Sequence, residues 1–272
     1  MDFPSTKPWG EQPILQGKTH IVSIGPLKLH LFRRENDLLV VEKRISAKDD
    51  EIIKNAIEDE NTLWQGGFRR YAFNQPLEKV SIRALPPARP VVVRTREPLH
   101  LAPGAKLDFY VSFPLDYQLN TPAEFGSTQL ERRPSTILSD TWFGDTTQGH
   151  IAFAIKTRAQ RDRSSYAEPD WSRGIVRMSI KNESDSLLRC DKFSLRLAHC
   201  ALYEGIGEGP IWASSVQVNY RGPESLSALN YDNQPPPYLT QPQLLSAAEE
   251  PMPSGLLRRT FGRITTSTLA VF

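Results

Sequence analysis

The chain has 272 residues, 22 of them proline and 16 glycine, and carries a formal net charge of +2. That length holds one large or two medium domains, either able to bury a core. A charge so close to zero removes the global electrostatic case for nucleic acid, and short apolar runs separated by proline and glycine favour β structure over helix.

Residues 1–18 are rich in proline, glycine and polar groups and read as an irregular lead-in, with Trp9 able to anchor it. Residues 19–75 form an N-terminal hairpin and helix region. Leu27, Leu29 and Leu31 alternate with Lys28 and His30, Glu35-Asn36-Asp37 signals a turn, and Leu38 to Val41 returns as the partner strand. His30 falls on the polar side of that alternation, which predicts a solvated imidazole. Ser46 to Glu60 reads as one short helix: Ser46 caps, Asp49, Asp50 and Glu51 fill the first turn, and Ile52, Ile53, Ala56 and Ile57 make an apolar stripe.

Residues 76–225 repeat a period of two. Val80, Ile82 and Ala84 form one face, as do Phe109, Val111 and Phe113, then Val176, Met178 and Ile180. Phe193, Leu195, Leu197 and His199 continue the pattern, and Trp212, Val216, Val218 and Tyr220 close it. One buried face per strand with turn clusters between predicts a mainly β chain, an antiparallel β-sandwich. Residues 226–272, with Pro235-Pro236-Pro237, Pro251 and Pro253, read as a proline-rich linker and irregular tail. Residues 233–255 are accordingly expected to be readily cut by protease.

The paired arginines Arg33-Arg34, Arg69-Arg70 and Arg132-Arg133 read as solvated strand ends. Cys190 and Cys200 read as free thiols. Residues 1–8 hold no signal-peptide core and no run reaches the ~18 apolar residues of a spanning helix. The expectation is a cytoplasmic protein with no transmembrane segment.

The densest mixture of aromatic, glycine and turn-forming residues is Ser139 to His150, running into Ile151 to Lys156. Gly144-Asp145 breaks one extended segment and Gly149 releases the next, which predicts a tight loop between two strands. Trp142, Asp145, His150 and Lys156 are the candidate binding residues: a pocket floored by Ala152 and Ala154, walled by Trp142 and edged by the other three. The competing reading makes Trp142 and Phe143 core plugs, Asp145 a turn cap and Lys156 a solvated cation. An indole mostly buried, with one edge reaching a cleft shared with His150, is the expected compromise.

Thr141-Trp142-Phe143-Gly144-Asp145-Thr146-Thr147-Gln148-Gly149 with its following strand resembles the signature of an uncharacterised prokaryotic family, domain of unknown function four-three-two. Pro86 to Val93, Pro98 to Gly104, Phe109 to Pro114 and Val176 to Asn182 add weaker echoes, so the resemblance spans roughly residues 20 to 225. It implies no catalytic residues. Some members occur with, or fused to, small-conductance mechanosensitive channel proteins, which implies a regulatory role with such a channel as partner.

The five histidines show no zinc spacing with each other or with the cysteines, and there is no phosphate loop, dinucleotide fingerprint or serine elbow. No cofactor, metal or nucleic acid is therefore expected. Two function classes remain open: a non-catalytic module binding a partner or small ligand, and a hydrolase or transferase using Asp145 and His150 as acid and base.

Overall fold

The computed structural model describes residues 7–45, 67–144, 149–155, 159–166, 170–205, 209–222 and 228–250. Its strands, in chain order, begin with β1 (Gly10–Pro13), β2 (Thr19–Ile24), β3 (Leu27–Arg34), β4 (Asp37–Arg44), β5 (Arg69–Ala72) and β6 (Lys79–Leu85). Next come β7 (Val91–Leu101), β8 (Lys106–Pro114), β9 (Asp116–Asn120), β10 (Gln129–Pro134), β11 (Ser139–Phe143) and β12 (His150–Ala154). The last are β13 (Arg173–Asn182), β14 (Leu188–Leu195), β15 (Leu202–Glu204), β16 (Ile211–Ala213), β17 (Val216–Tyr220), β18 (Ala228–Tyr231) and β19 (Gln243–Ser246). The chain is mainly β with largely antiparallel sheets, as the alternating patterns predict. The helix expected over Ser46 to Glu60 lies outside the described residues. Two compact units are formed, each with two sheets, and their segments alternate along the chain.

Unit one comprises Met1–Leu85, Asp116–Thr136 and Asp170–Ser172. Its sheets run in the orders β1-β6-β9-β10 and β2-β3-β4-β5. The turn signal at Glu35-Asn36 closes the β3–β4 hairpin: Glu35 has φ 51, Arg34 pairs with Asp37 and Leu31 with Val40. A two-residue loop entering the left-handed region matches the twist of the flanking strands. Leu38, Leu39, Val40 and Val41 are all buried, and so is His30, at 6% exposure. His30 is thus not solvated. On β3 the even positions Lys28 and Phe32 stay partly open and Arg34 is exposed, so His30 alone on that side leaves water, at the middle of the strand. Gly25, at φ +55 between β2 and β3, is required twice over, since a Cβ there would run into the side chain of Ser172.

A charged seam joins side chains from both sheets of this unit. The fully buried phenol of Tyr117 on β9 lies 2.5 Å from Glu42 Oε1 on β4 and 2.7 Å from Glu131 Oε1 on β10. Arg69 of β5 donates from Nε to Glu131 Oε2 at 2.5 Å and from Nη2 to Glu42 Oε1 at 3.0 Å. Tyr71 Oη donates to Glu131 Oε2 at 2.9 Å, and Arg44 Nη1 reaches Glu42 Oε2 at 3.1 Å. Burial, then the charge of Glu131, pushes the Tyr117 phenol far above its usual range, so it remains a proton donor. The arginine pairs expected at solvated strand ends divide here by strand parity. Arg69 turns in to the seam while Arg70 stays exposed beside Asp37, and Arg132 holds the buried carboxylate of Asp116 at 3.0 Å.

Unit two comprises Pro86–Leu115, Ile137–Pro169 and Arg173–Phe272. One of its sheets has the order β11-β12-β7-β14. The other is built on β13, which pairs antiparallel with β8 from Arg173↔Pro114 to Lys181↔Lys106. On its opposite edge β13 pairs in parallel with β16 and then β17, two halves of one line of chain. Between Ile175↔Trp212 and Met178↔Val216, three steps on β13 face four on the partner. That extra residue at Ser214-Ser215 is a β-bulge and reverses side-chain parity. Val216 and Val218 point into the core as predicted, but Trp212 turns to the other face, against Tyr110 at 6.0 Å between ring centres. The predicted line Phe193 to His199 also breaks: β14 ends at Leu195, and Leu197–His199 is a 3-10 turn.

The segment expected as a proline-rich linker contributes two strands to this sheet. β18 pairs with β17 and β19 with β15, and between them residues 232–242 reach back so that Tyr238 packs on Trp212 at 4.9 Å. Prolines fix an extended strap without needing the backbone donors they lack. At its end Arg196 clasps Glu250 through two hydrogen bonds, Nε to Oε2 at 2.6 Å and Nη2 to Oε1. Cys190 and Cys200 are buried free thiols, and burial pushes the Cys200 thiol up to about 12.

Candidate functional site

The loop singled out from sequence joins an antiparallel hairpin, β11–β12, in register Thr141↔Ala152, Trp142↔Ile151 and Phe143↔His150. Gly144, at φ 113, starts the turn from a conformation closed to other residues. The pleat then decides which side chains meet. Cross-strand partners share a face and neighbours along a strand do not. Phe143, Ala152 and Val92 therefore form a buried cluster on the inner face, with His150 beside Phe143 at 5.6 Å between rings. Trp142 and Ile151 share the outer face, 51% and 53% exposed.

Trp142 and His150, placed together at a cleft by the sequence reading, thus stand on opposite faces of the hairpin. The indole is half exposed rather than mostly buried. Of the two plugs, only Phe143 fills the core. Asp145 and Lys156 lie outside the described residues. His150 Nε2 is 3.1 Å from the Ser194 hydroxyl on β14, and burial, with the nearby positive charge of Arg196 second, holds its pKa below the usual histidine range. Neutral and hydrogen-bonded to a hydroxyl, the imidazole ties β12 to β14 across β7.

The outer face carries what the sequence reading missed. Phe153 lies opposite Asp140, and Arg89 bridges them, its guanidinium 5.4 Å from the Phe153 ring centre and its Nη1 2.9 Å from Asp140 Oδ1. Trp142, Ile151 and Phe153 form an apolar strip rimmed by an exposed ion pair, and β11 is the edge strand of its sheet among the described residues. The signal is present in the sequence as the alternation of Ile151 and Phe153 with Ala152.

A family model described as Protein of unknown function (DUF432) matches residues 8–266. The chain belongs to the DUF432 family. The match to DUF432 extends beyond residues 20 to 225 at both ends, taking in β1, the strap and β19. No curated protein and no solved structure matches the chain. Among the described residues of this DUF432 member, no three His, Cys, Asp or Glu side chains group to hold a metal, and no helix is long and apolar enough to cross a membrane.

Proposed function

We propose that this DUF432 chain is a non-catalytic binding module that captures an extended segment of a partner protein at the β11–β12 hairpin. The observation that carries the reading is the cross-strand pair Trp142 and Ile151, half exposed on an edge hairpin. An added strand gains main-chain hydrogen bonds along an open edge, and its alternate side chains find the apolar strip formed with Phe153. Large aromatic side chains on such a surface supply most of the affinity for little ordering cost. The regulatory role implied by the family resemblance, with a mechanosensitive channel as partner, is compatible with this mode of capture. The hydrolase or transferase reading depends on Asp145, outside the described residues, and Ser194 gives His150 a neutral hydroxyl contact rather than a second catalytic carboxylate.

Trp142 is itself the reporter. Titration with a panel of extended peptides bearing alternate apolar residues should shift tryptophan emission to the blue as the indole leaves water. The shift should vanish in Trp142→Ala while the fold persists. Binding unaffected by Trp142→Ala and Ile151→Ser would remove this surface as the site.

A further inference from the structure

The end of the strap belongs to the same unit as the β11–β12 hairpin. Glu250, where the described chain ends, donates its N–H to the Ala198 carbonyl, and Arg196 clasps its carboxylate. Arg196 directly follows β14, two residues from Ser194, which meets His150 of β12 at 3.1 Å. In the order β11-β12-β7-β14, three strand spacings separate β14 from β11, and a fourth reaches a strand added outside it. At ~4.8 Å per spacing that is about 20 Å, which about six residues of extended chain cover. Residues 251–272 continue from Glu250, so the chain from Leu257 onward has the length to reach that edge.

The hairpin also states what an added strand must carry. Asp140 and Trp142 are two residues apart on β11, so they share the outer face, and the Asp140 side chain is exposed. Phe153, paired with Asp140, donates its N–H to Pro90 on the far side of β12, which turns the N–H and carbonyl of Asp140 outward to the edge. Arg89 takes Oδ1 of Asp140, and a carboxylate has a second oxygen for another guanidinium. The fitting strand therefore places an aromatic opposite Trp142 and an arginine two residues away. Residues 259–263 read Arg259-Thr260-Phe261-Gly262-Arg263. Phe261 has an arginine two residues before it and another two after, so the match holds whichever way the segment runs. Ile264, Thr265, Thr266 and Thr268 add β-branched residues suited to a strand, and residues 256–272 hold three arginines and no acid. Aromatic pairs and opposite charges facing one another are the contacts that stabilise strand pairing.

We infer that the segment around Phe261 lies along β11 as an added strand and covers Trp142 until a partner displaces it. The inference rests on the reading of the hairpin as a capture surface and adds its regulation. Tethering holds the segment at an effective concentration on the order of 1 mM. With an intrinsic affinity of ~0.3 mM it closes the edge about three-quarters of the time and weakens partner binding about fourfold.

The test uses the full chain and labelled extended peptides with alternate apolar residues, read by fluorescence anisotropy. Phe261→Ser should bind them about fourfold more tightly than the wild-type chain. So should the double variant Arg259→Glu/Arg263→Glu, which sets like charges against Asp140 and leaves Phe261 in place. A labelled peptide of residues 257–266 should bind both variants, and adding Trp142→Ala should abolish that binding. Equal affinity of the wild-type chain and both variants for the extended peptides overturns this inference alone and leaves the capture reading in place. So does a 257–266 peptide that fails to bind variants to which the extended peptides bind. Extended peptides that bind neither the wild-type chain nor the variants overturn the capture reading, and this inference with it.

Discussion

Unit one draws charge inward where unit two sets apolar groups outward. In the seam, two glutamates, two tyrosines and Arg69 are drawn out of bulk water and held by hydrogen bonds of 2.5 to 3.1 Å, with Arg44 at the exposed rim. On the hairpin, a tryptophan and an isoleucine that a core would accept face solvent instead. Each inverts the ordinary partition of side chains, and the two inversions have different meanings. A buried charge network is self-contained: every carboxylate oxygen of Glu42 and Glu131 has a donor, so it fixes how the strands of one unit are registered. An exposed apolar pair such as Trp142 and Ile151 has surface to give to another molecule. Structure is the economical reading of the first and recognition of the second.

The comparison is broken most severely by Glu131→Ala. It takes the described acceptor from the Tyr71 hydroxyl and leaves the Arg69 guanidinium and the Tyr117 hydroxyl with Glu42 alone. Removing one partner of a buried charge network costs about 3–5 kcal/mol, and urea melts should show a loss in that range. Tyr117→Phe removes one donor but leaves the arginines on both carboxylates, so its loss should be nearer 1–2 kcal/mol. A seam that tolerated Glu131→Ala within about 0.5 kcal/mol, the usual spread for surface changes, would be a surface feature and the contrast with the hairpin would disappear.

Strand positions were largely legible because a strand exposed on one face writes its burial into every second residue. Val80, Ile82 and Ala84, or Phe109, Val111 and Phe113, are buried as their alternation says. The reading fails where the pleat is interrupted or one residue of a partly open face is covered. Trp212 is misassigned because one bulged residue between it and Val216 reverses the parity, and no residue type at Ser214-Ser215 announces a bulge. His30 is misassigned because it alone is buried on a face whose neighbours Lys28 and Phe32 stay partly open, which alternation cannot announce. The seam was invisible for another reason. Glu42, Arg69, Tyr117 and Glu131 come from four strands, and only the tertiary fold brings them together. At the candidate site the two strands flanking the loop were read correctly, but Trp142 and His150 were placed on one side of the hairpin when the pleat separates them. Which of the two sides meets the core depends on what the neighbouring strand β7 and its sheet cover.

A smaller effect tests the strap. Arg196, by hydrogen bonding first, holds the Glu250 carboxyl below its ordinary value of 4.5. A carboxyl with a lowered folded pKa adds stability that is present above the ordinary value and is lost as the pH falls through the lowered one. The difference in stability between the wild-type chain and Glu250→Gln should therefore be steady from pH 7 to 5 and shrink below pH 4.5. Its size should stay within about 1 kcal/mol because the pair is partly open to solvent. A difference that did not change with pH would mean the carboxylate is not clasped. At neutral pH the segment 228–250, which offers Tyr231, Tyr238, Leu239 and Leu244 to chymotrypsin, should resist that protease, contrary to its proline-rich composition, because it is paired into the sheet on both sides of the strap.

The smallest effect is the one that separates the two faces of the hairpin. Phe143 and Trp142 are consecutive, equally aromatic and on the same strand, yet the pleat sends one into the Val92–Ala152 cluster and the other to solvent. Phe143→Ala empties a core site and should cost about 3–5 kcal/mol. Trp142→Ala removes a larger side chain but only half of it is out of water, and its main described contact is one cross-strand pair, worth roughly 0.2–1 kcal/mol. A loss of about 1 kcal/mol or less is therefore expected from the larger truncation, with a severalfold larger loss from its smaller neighbour. If the two variants melted alike, the indole would be a core residue and the hairpin would have no face to offer. If they differ as stated, the tryptophan is not there for stability, and an exposed aromatic that the fold does not need is the residue to follow when partners are sought.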